Sequence, residues 1–383
     1  MTMDDRPGFY EFFAGGGMAR AGLGSGWQCL FANDFDVKKA ATYSENWGPQ
    51  GLHIGDVGRV ETSQLQSRAD LVWASFPCQD LSLAGAGAGL KGARSGTFWP
   101  FWKLVESLRG EGRKPRAIVL ENVCGLLTSH NGADFAALCE AVGDAGYWLG
   151  AMVIDAQYFV PQSRPRLFVI ALDMDQEVPG RIFSPFAIDR WHPERLRQAQ
   201  AALPERLRAR WLWFTAPTPA KRNLSLADIV EDEPKDVAWH SLSETAALLT
   251  MMTRLNRAKI EMMAANTGRS IGAVYKRTRI EKGVKVQRAE VRFDMAGCLR
   301  TPAGGSSRQT IVAIEGGKVR SRLISARETA RLMGLPEEYK LPDRYTDAYH
   351  LTGDGVAVPV VRHIAQSILE PALMRSGLSI ASA

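Results

Sequence analysis

Five short apolar runs recur through the first half of the chain, and each abuts a turn rich in glycine or polar groups. Phe9–Phe13 leads into Ala14-Gly15-Gly16-Gly17, and Cys29–Ala32 ends at Asn33-Asp34. Leu71–Ala74 runs into Ser75-Phe76-Pro77-Cys78-Gln79, and Ala117–Leu120 into Glu121-Asn122-Val123. Leu167–Ala171 follows Gln162-Ser163-Arg164-Pro165-Arg166. Runs this short and, Glu11 apart, this apolar read as strands buried on both faces, with room between them for helices. The pattern predicts an α/β fold with a mostly parallel sheet. In such a sheet the loops at the strand ends gather on one edge, where ligands bind.

Near Asp175 the pattern changes. Residues 176–300 are rich in Arg, Trp and Pro and carry the acidic cluster Glu231-Asp232-Glu233, while 241–265 read as helical. After Ser325 a regular helical stretch, Arg327–Met333, is stopped by Gly334 and Pro336, and Val358–Leu373 reads as a closing helix. The expected organisation is a large domain over 1–185, a smaller irregular one over 186–325, and a return to the first over 326–383. The 383 residues, 45% hydrophobic and 23% charged, suit such a pair of packed domains and argue against a disordered or fibrous chain. No window of about 18 apolar residues predicts a membrane span, and the polar start argues against a signal peptide. Five scattered cysteines with no CxxC pair point away from a disulfide framework or a metal site, towards a reducing cytoplasm.

The net charge of +6 is unevenly placed. Between Arg254 and Arg292 there are eleven Lys/Arg and three Asp/Glu, a local excess of +8, so the remainder sums to −2. A solvated basic face and a polyanion-binding surface both account for this.

Chemistry concentrates at the strand ends. The glycine turn after the first strand admits close approach to the backbone. Asp34 stands 19 residues after Gly15, where a carboxylate can hold ribose hydroxyls, and Asp56 sits where a third strand would end. Singly each is an ordinary turn or cap residue; together they favour an adenosine-containing cofactor, either S-adenosylmethionine or a nicotinamide dinucleotide. Met18 and Arg20 break the GxGxxG pattern that a pyrophosphate usually requires. Cys78 follows a buried strand and precedes the small-residue stretch Leu81–Gly89, which has the composition of a lid, so it is a candidate nucleophile once its thiol is activated. Glu121 and the pair Arg164 and Arg166 are expected on the same sheet edge.

The ordered set of these motifs resembles the DNA cytosine-5 methyltransferases over nearly the whole chain. It comprises Phe13–Gly17, Asn33-Asp34-Phe35, Gly55-Asp56-Val57, Phe76-Pro77-Cys78-Gln79, Glu121-Asn122-Val123 and Gln162–Arg166. Arg300-Thr301-Pro302, Arg327–Gly334 and Gly353-Asp354-Gly355-Val356 follow. The resemblance implies a Rossmann-like methyltransferase domain, S-adenosylmethionine as donor and a flipped cytosine in double-stranded DNA as acceptor. It implies catalysis by Cys78, Glu121, Arg164 and Arg166. Phe13, Gly15, Gly17, Met18, Asp34, Phe35, Asp56, Val57, Pro77, Asp354 and Val356 would bind the cofactor. Gln79, Ser82 and Arg94 would meet DNA from the lid. The region 180–299 would carry target recognition, with Lys276, Arg277, Arg279, Lys282 and Lys285 as phosphate contacts. A prokaryotic enzyme, monomeric on DNA and paired with a restriction endonuclease, is the implied setting. Asp354 stands where the family usually has Asn, and Met18 where it commonly has Gly. A tRNA cytosine-5 methyltransferase, an inactive DNA-binding relative and a nicotinamide oxidoreductase remain the alternatives.

Overall fold

A computed structural model describes residues 6–77, 97–281, 283–301 and 308–373. Cys78, Gln79, Ser82, Arg94 and Lys282 lie outside the described residues.

The chain divides into two compact units. The first comprises residues up to Ile154, Pro165–Thr218 and those from Val360 onward; the second comprises Asp155–Arg164 and Pro219–Pro359.

The first unit is built on a seven-stranded sheet of β1 (Gly8–Phe12), β2 (Gln28–Asp34), β3 (Leu52–Ile54), β4 (Leu71–Ala74), β5 (Ala117–Val123), β6 (Tyr147–Asp155) and β7 (Pro165–Asp173). Their order is β3-β2-β1-β4-β5-β7-β6. β1 runs parallel to β2 and β4, β2 to β3, and β4 to β5; β7 runs antiparallel to β5. Every residue of β1 and β4 is buried, as expected of strands covered on both faces. Helices α1 (Met18–Leu23), α2 (Val37–Trp47), α3 (Phe98–Gly110) and α4 (Ala133–Asp144) follow strands of this sheet. On α3 the stripe Phe98, Phe101, Trp102, Val105 and Leu108 faces the core at helical spacing, and Phe135, Leu138, Cys139 and Val142 do the same on α4. Asp36 starts α2 by accepting the N–H groups of Lys38 and Lys39. A short ribbon of β8 (Phe183–Ser184) and β9 (Trp213–Phe214) also belongs to this unit. The C-terminal helical stretch ties in through Arg362 to the Leu23 carbonyl at 2.7 Å and Trp27 to Glu370 at 3.3 Å.

The second unit contains a four-stranded antiparallel sheet of β10 (Ser270–Glu281), β11 (Val284–Arg292), β12 (Thr310–Glu315) and β13 (Lys318–Leu323), ordered β11-β10-β12-β13. The helices Leu242–Thr250 and Arg254–Ala264 contribute Leu248 and Ile260, and the turn between them Met252, to a core with Val274, Ala289, Val291, Val312 and Ile314. β12 pairs with β10 only over Ser270–Val274, so beyond that point β10 and β11 continue as a two-stranded hairpin. The helix Ala326–Leu332 opens with a reciprocal cap between Ser325 and Glu328, and Glu328 also forms a fully buried ion pair with Arg322.

Among the described residues, no helix is long and apolar enough to cross a membrane.

Candidate active site

The ends of β1, β2 and β3 are knotted by backbone and side-chain hydrogen bonds centred on Asp34. Its Oδ2 accepts the Gly15 N–H at 2.7 Å, its Oδ1 accepts the Asp36 N–H at 2.8 Å, and its carbonyl accepts the Gly55 N–H at 3.0 Å. Neighbouring Asn33 donates to the carbonyls of His53 and Gly55 at 3.1 and 3.0 Å. Burial raises the Asp34 carboxyl above its ordinary pKa, while the N–H donors of Asp36 and Gly15 pull the other way. Asp34, expected to hold a ribose, thus also fixes the shape of the loops that would surround one.

The glycines of the first turn serve different ends. Gly15 and Gly17 both have positive φ, 56° and 78°. A Cβ on Gly15 would meet nothing within 4 Å, whereas one on Gly17 would lie 2.3 Å from Trp47 Nε1. Trp47 in turn donates to the Gly16 carbonyl at 3.0 Å. Gly15 therefore leaves space above the turn, and Gly17 lets α2 close beneath it. Following the ends of β1, β2 and β3 are half-buried Phe13, Phe35 at 68% exposure, and exposed Asp56, which caps the turn Val57–Arg59 by accepting the Gly58 N–H. Met18 and Val57, also expected at the cofactor, are buried, at 2% and 4% exposure.

Below the turn lies a group that the motif reading does not single out. Glu11 of β1 is 1% exposed and accepts the Arg20 N–H at 3.4 Å; burial pushes its carboxyl up to about 8. Arg20 donates to the Tyr43 hydroxyl at 2.9 Å and lies over the rings of Tyr43 and Trp47.

At the other half of the edge, the side-chain amide of Asn122 donates to the Phe76 carbonyl at 3.2 Å and its oxygen accepts the Val123 N–H at 2.8 Å. This fastens the turn Phe76-Pro77, which immediately precedes Cys78, to the end of β5. Glu121 pairs in register with Phe168, and Val123 with Arg166. Because β7 is antiparallel, its first residues stand at the edge where the parallel strands finish. Arg166 Nε consequently sits 3.3 Å from Glu121 Oε1, the two side chains being 16% and 8% exposed.

Arg164 has a different setting within the second unit. Its guanidinium donates to the carbonyls of Leu299 at 2.9 Å, Gly353 at 2.8 Å and Gly355 at 2.6 Å. Gln162, fully buried, donates to the Leu332 carbonyl at 2.7 Å and accepts the Leu299 N–H at 3.0 Å. Gln162 and Arg164 thus brace the stretches before Arg300-Thr301 and around Asp354. Asp354 accepts the Thr301 hydroxyl, and Val356 is buried. Expected as a catalytic group, Arg164 has the contacts of a positioning one.

Of the cationic candidates, Lys276, Arg277 and Arg279 lie on β10 and Lys285 on β11. Register separates them. Arg277 stands opposite Arg288, and Lys285 opposite Ile280.

A mostly parallel sheet with β7 antiparallel, an open glycine turn at the end of β1, and a Glu–Arg pair on the strand that Asn122 ties to Phe76 suit a methyltransferase of the α/β class. The family model for C-5 cytosine-specific DNA methylases matches residues 8–370. The Type II methyltransferase M.HhaI of Haemophilus parahaemolyticus is 25% identical over 362 residues, 94% of this chain and 93% of its own. M.MspI of Moraxella sp is also 25% identical, over 94% of this chain and 70% of its own. Among solved structures, Entamoeba histolytica methyltransferase EhMeth superposes with a TM-score of 0.63 at 13% identity, covering 96% of this chain and 98% of its own. S. pombe Dnmt2 methyltransferase gives 0.58 at 17%, covering 96% and 99%. These two share the fold. The chain belongs to the C-5 cytosine-specific DNA methylase family and is a DNA cytosine-5 methyltransferase.

Proposed function

We propose that this enzyme methylates carbon 5 of a cytosine rotated out of duplex DNA, through a temporary bond between Cys78 and carbon 6 of the ring. The observation carrying this reading is the Glu121–Arg166 pair, 3.3 Å apart, beside the Phe76-Pro77 turn that Asn122 fastens to the same strand. Inside a stacked duplex the ring atoms are unreachable, so extrusion must come first. The Cys78 thiolate then adds to carbon 6. Glu121 holds a proton at ring N3 and so neutralises the negative charge that addition creates. Arg166 steadies Glu121 and donates to the ring carbonyl oxygen. Carbon 5 is now electron-rich and takes the methyl group. Loss of its proton to a base restores the ring, and the carbon–sulfur bond breaks to free Cys78.

The donor this family uses is S-adenosylmethionine, which when bound supplies an electrophilic methyl group. The first half-edge fits it: space above Gly15, an exposed aromatic face at Phe35, and the carboxylates of Asp34 and Asp56 for hydroxyl and amine groups. Phe13 and Pro77 are assigned to the same cradle, with Gly17, Met18 and Val57 supporting it through their packing. The cationic hairpin, together with Gln79, Ser82 and Arg94, would hold the duplex. Since the named relatives are Type II methyltransferases, a restriction endonuclease of matching specificity is the proposed companion, with a monomeric enzyme acting in a prokaryotic cytoplasm.

Duplex DNA carrying 5-fluorocytosine at the target tests the mechanism. Fluorine cannot leave carbon 5 as a proton does, so a stable protein–DNA adduct is expected with wild type and none with Cys78→Ser. An active preparation that forms no adduct would exclude the addition step, and methylation of tRNA in preference to matched DNA would reassign the substrate.

A further inference from the structure

The distal hairpin of β10 and β11 has two chemically different faces. On one, register aligns Tyr275 with Glu290 and Arg277 with Arg288, with Arg279 and Arg292 at the flanks, so four arginines share a face with Glu290 and, at the hairpin tip, Glu281. The opposite face carries Lys276, Thr278 and Ile280 over Ala289, Gln287 and Lys285. Arginines set directly across from one another, Arg277 and Arg288, concentrate positive charge on this face, which favours a polyanion. The arginine face is also organised. Tyr275 donates to Glu290 at 2.5 Å, Arg279 reaches the same carboxylate at 2.8 Å, and the Arg277 guanidinium lies 4.8 Å from the Tyr275 ring centre. Burial pushes the Glu290 carboxyl up, but the donors Tyr275 and Arg279 prevail and hold it below its ordinary range.

We propose that this two-stranded ribbon enters the major groove with the arginine face towards the base edges, and that Arg277, Arg279 and Arg288 read guanine while Glu290 positions them. The groove admits a two-stranded ribbon, and the planar guanidinium fork matches guanine O6 and N7 in a fixed geometry, whereas an ammonium reaches them as a flexible point charge. The recognition sequence should therefore contain at least one G·C pair besides the one that is methylated. Lys276 and Lys285, on the other face, contribute sequence-independent attraction only. The inference rests on the duplex-DNA reading above.

The test maps methylated sites by bisulfite sequencing for wild type, Arg277→Lys, Arg279→Lys, Arg288→Lys and the double variant Lys276→Ala/Lys285→Ala, with folding checked by thermal unfolding. Lysine keeps the charge and loses the fork. At least one arginine variant should lose about tenfold or more in base discrimination at a single G·C position while the salt slope of DNA affinity stays unchanged. The double lysine variant should weaken affinity evenly across sequences and flatten that slope. A wild-type enzyme that methylates DNA but whose arginine variants keep full discrimination, or whose site holds no further G·C pair, overturns this inference alone. A wild-type enzyme inactive on all duplex DNA overturns the reading beneath it as well.

Discussion

The Asn122 side-chain amide donates to the Phe76 carbonyl at 3.2 Å, so the strand bearing Glu121 also restrains the residues leading to Cys78. Asn122 is 3% exposed and its own oxygen is occupied by the Val123 N–H, so the amide has one orientation. Asn122→Ala is expected to lower kcat on the order of 10- to 100-fold, the scale associated with a small misplacement of a reacting group. The KM for S-adenosylmethionine should move little. Equal losses in both would identify a general folding defect.

Glu121 and Arg166 should act as a unit. Glu121→Gln removes the proton carrier, and a fall in kcat of about 100-fold or more is expected. Adding Arg166→Ala to Glu121→Gln should then cost much less than Arg166→Ala costs alone. Strictly additive losses in this double-mutant cycle would show that the two side chains work independently.

Gly15 and Gly17 separate binding from folding. Gly17→Ala drives a Cβ against Trp47 at a left-handed position and should destabilise the fold by about 2 kcal/mol or more in denaturant unfolding. Gly15→Ala meets no atom, so its stability loss should be limited to the backbone strain of about 1 kcal/mol, while S-adenosylmethionine affinity falls. The reverse pattern would place the ligand elsewhere.

Glu11 gives a pH signature. Its folded pKa of about 8 lies above the ordinary 4.5, so between those values the folded state binds the additional proton. Stability must therefore fall as pH rises through this window, by at most about 5 kcal/mol once pH exceeds 8. Arg20 and Asp34 are the charged groups that act on it. Glu11→Gln lacks the titration, so its Tm should gain on wild type between pH 5 and 8.5. Parallel curves would show that Glu11 does not titrate there.

Much of the sheet was legible because buried parallel strands leave uninterrupted apolar runs. Cys29–Ala32, Leu71–Ala74, Ala117–Leu120 and Leu167–Ala171 fall inside β2, β4, β5 and β7, and Phe9–Phe13 overruns β1 by Phe13, whose φ of 57° ends the strand. The helical stretches near 241–265, 327–333 and 358–373 are likewise present. The hairpin strands were not legible: distal β10 carries Lys, Arg and Thr on both faces, so no apolar alternation marks it. The antiparallel sense of β7 was also hidden, since strand direction leaves no trace in a run of Leu, Phe, Val and Ile. Yet that direction is what brings Arg166 beside Glu121. The division of labour within Gln162–Arg166 was equally silent: only packing distinguishes an arginine bonded to three carbonyls from one paired with a carboxylate. Asn122 and Glu11 lacked a signal too, because their partners are distant in sequence or are backbone atoms.

The distal ribbon of β10 and β11 supplies no described residue to the hydrophobic cluster of its unit beyond Val274, Ala289 and Val291 at its base. Substitutions there leave that core's packing untouched. Descendants of this enzyme could acquire a different target word by exchanging solvent-facing letters on the ribbon, with the catalytic apparatus inherited intact.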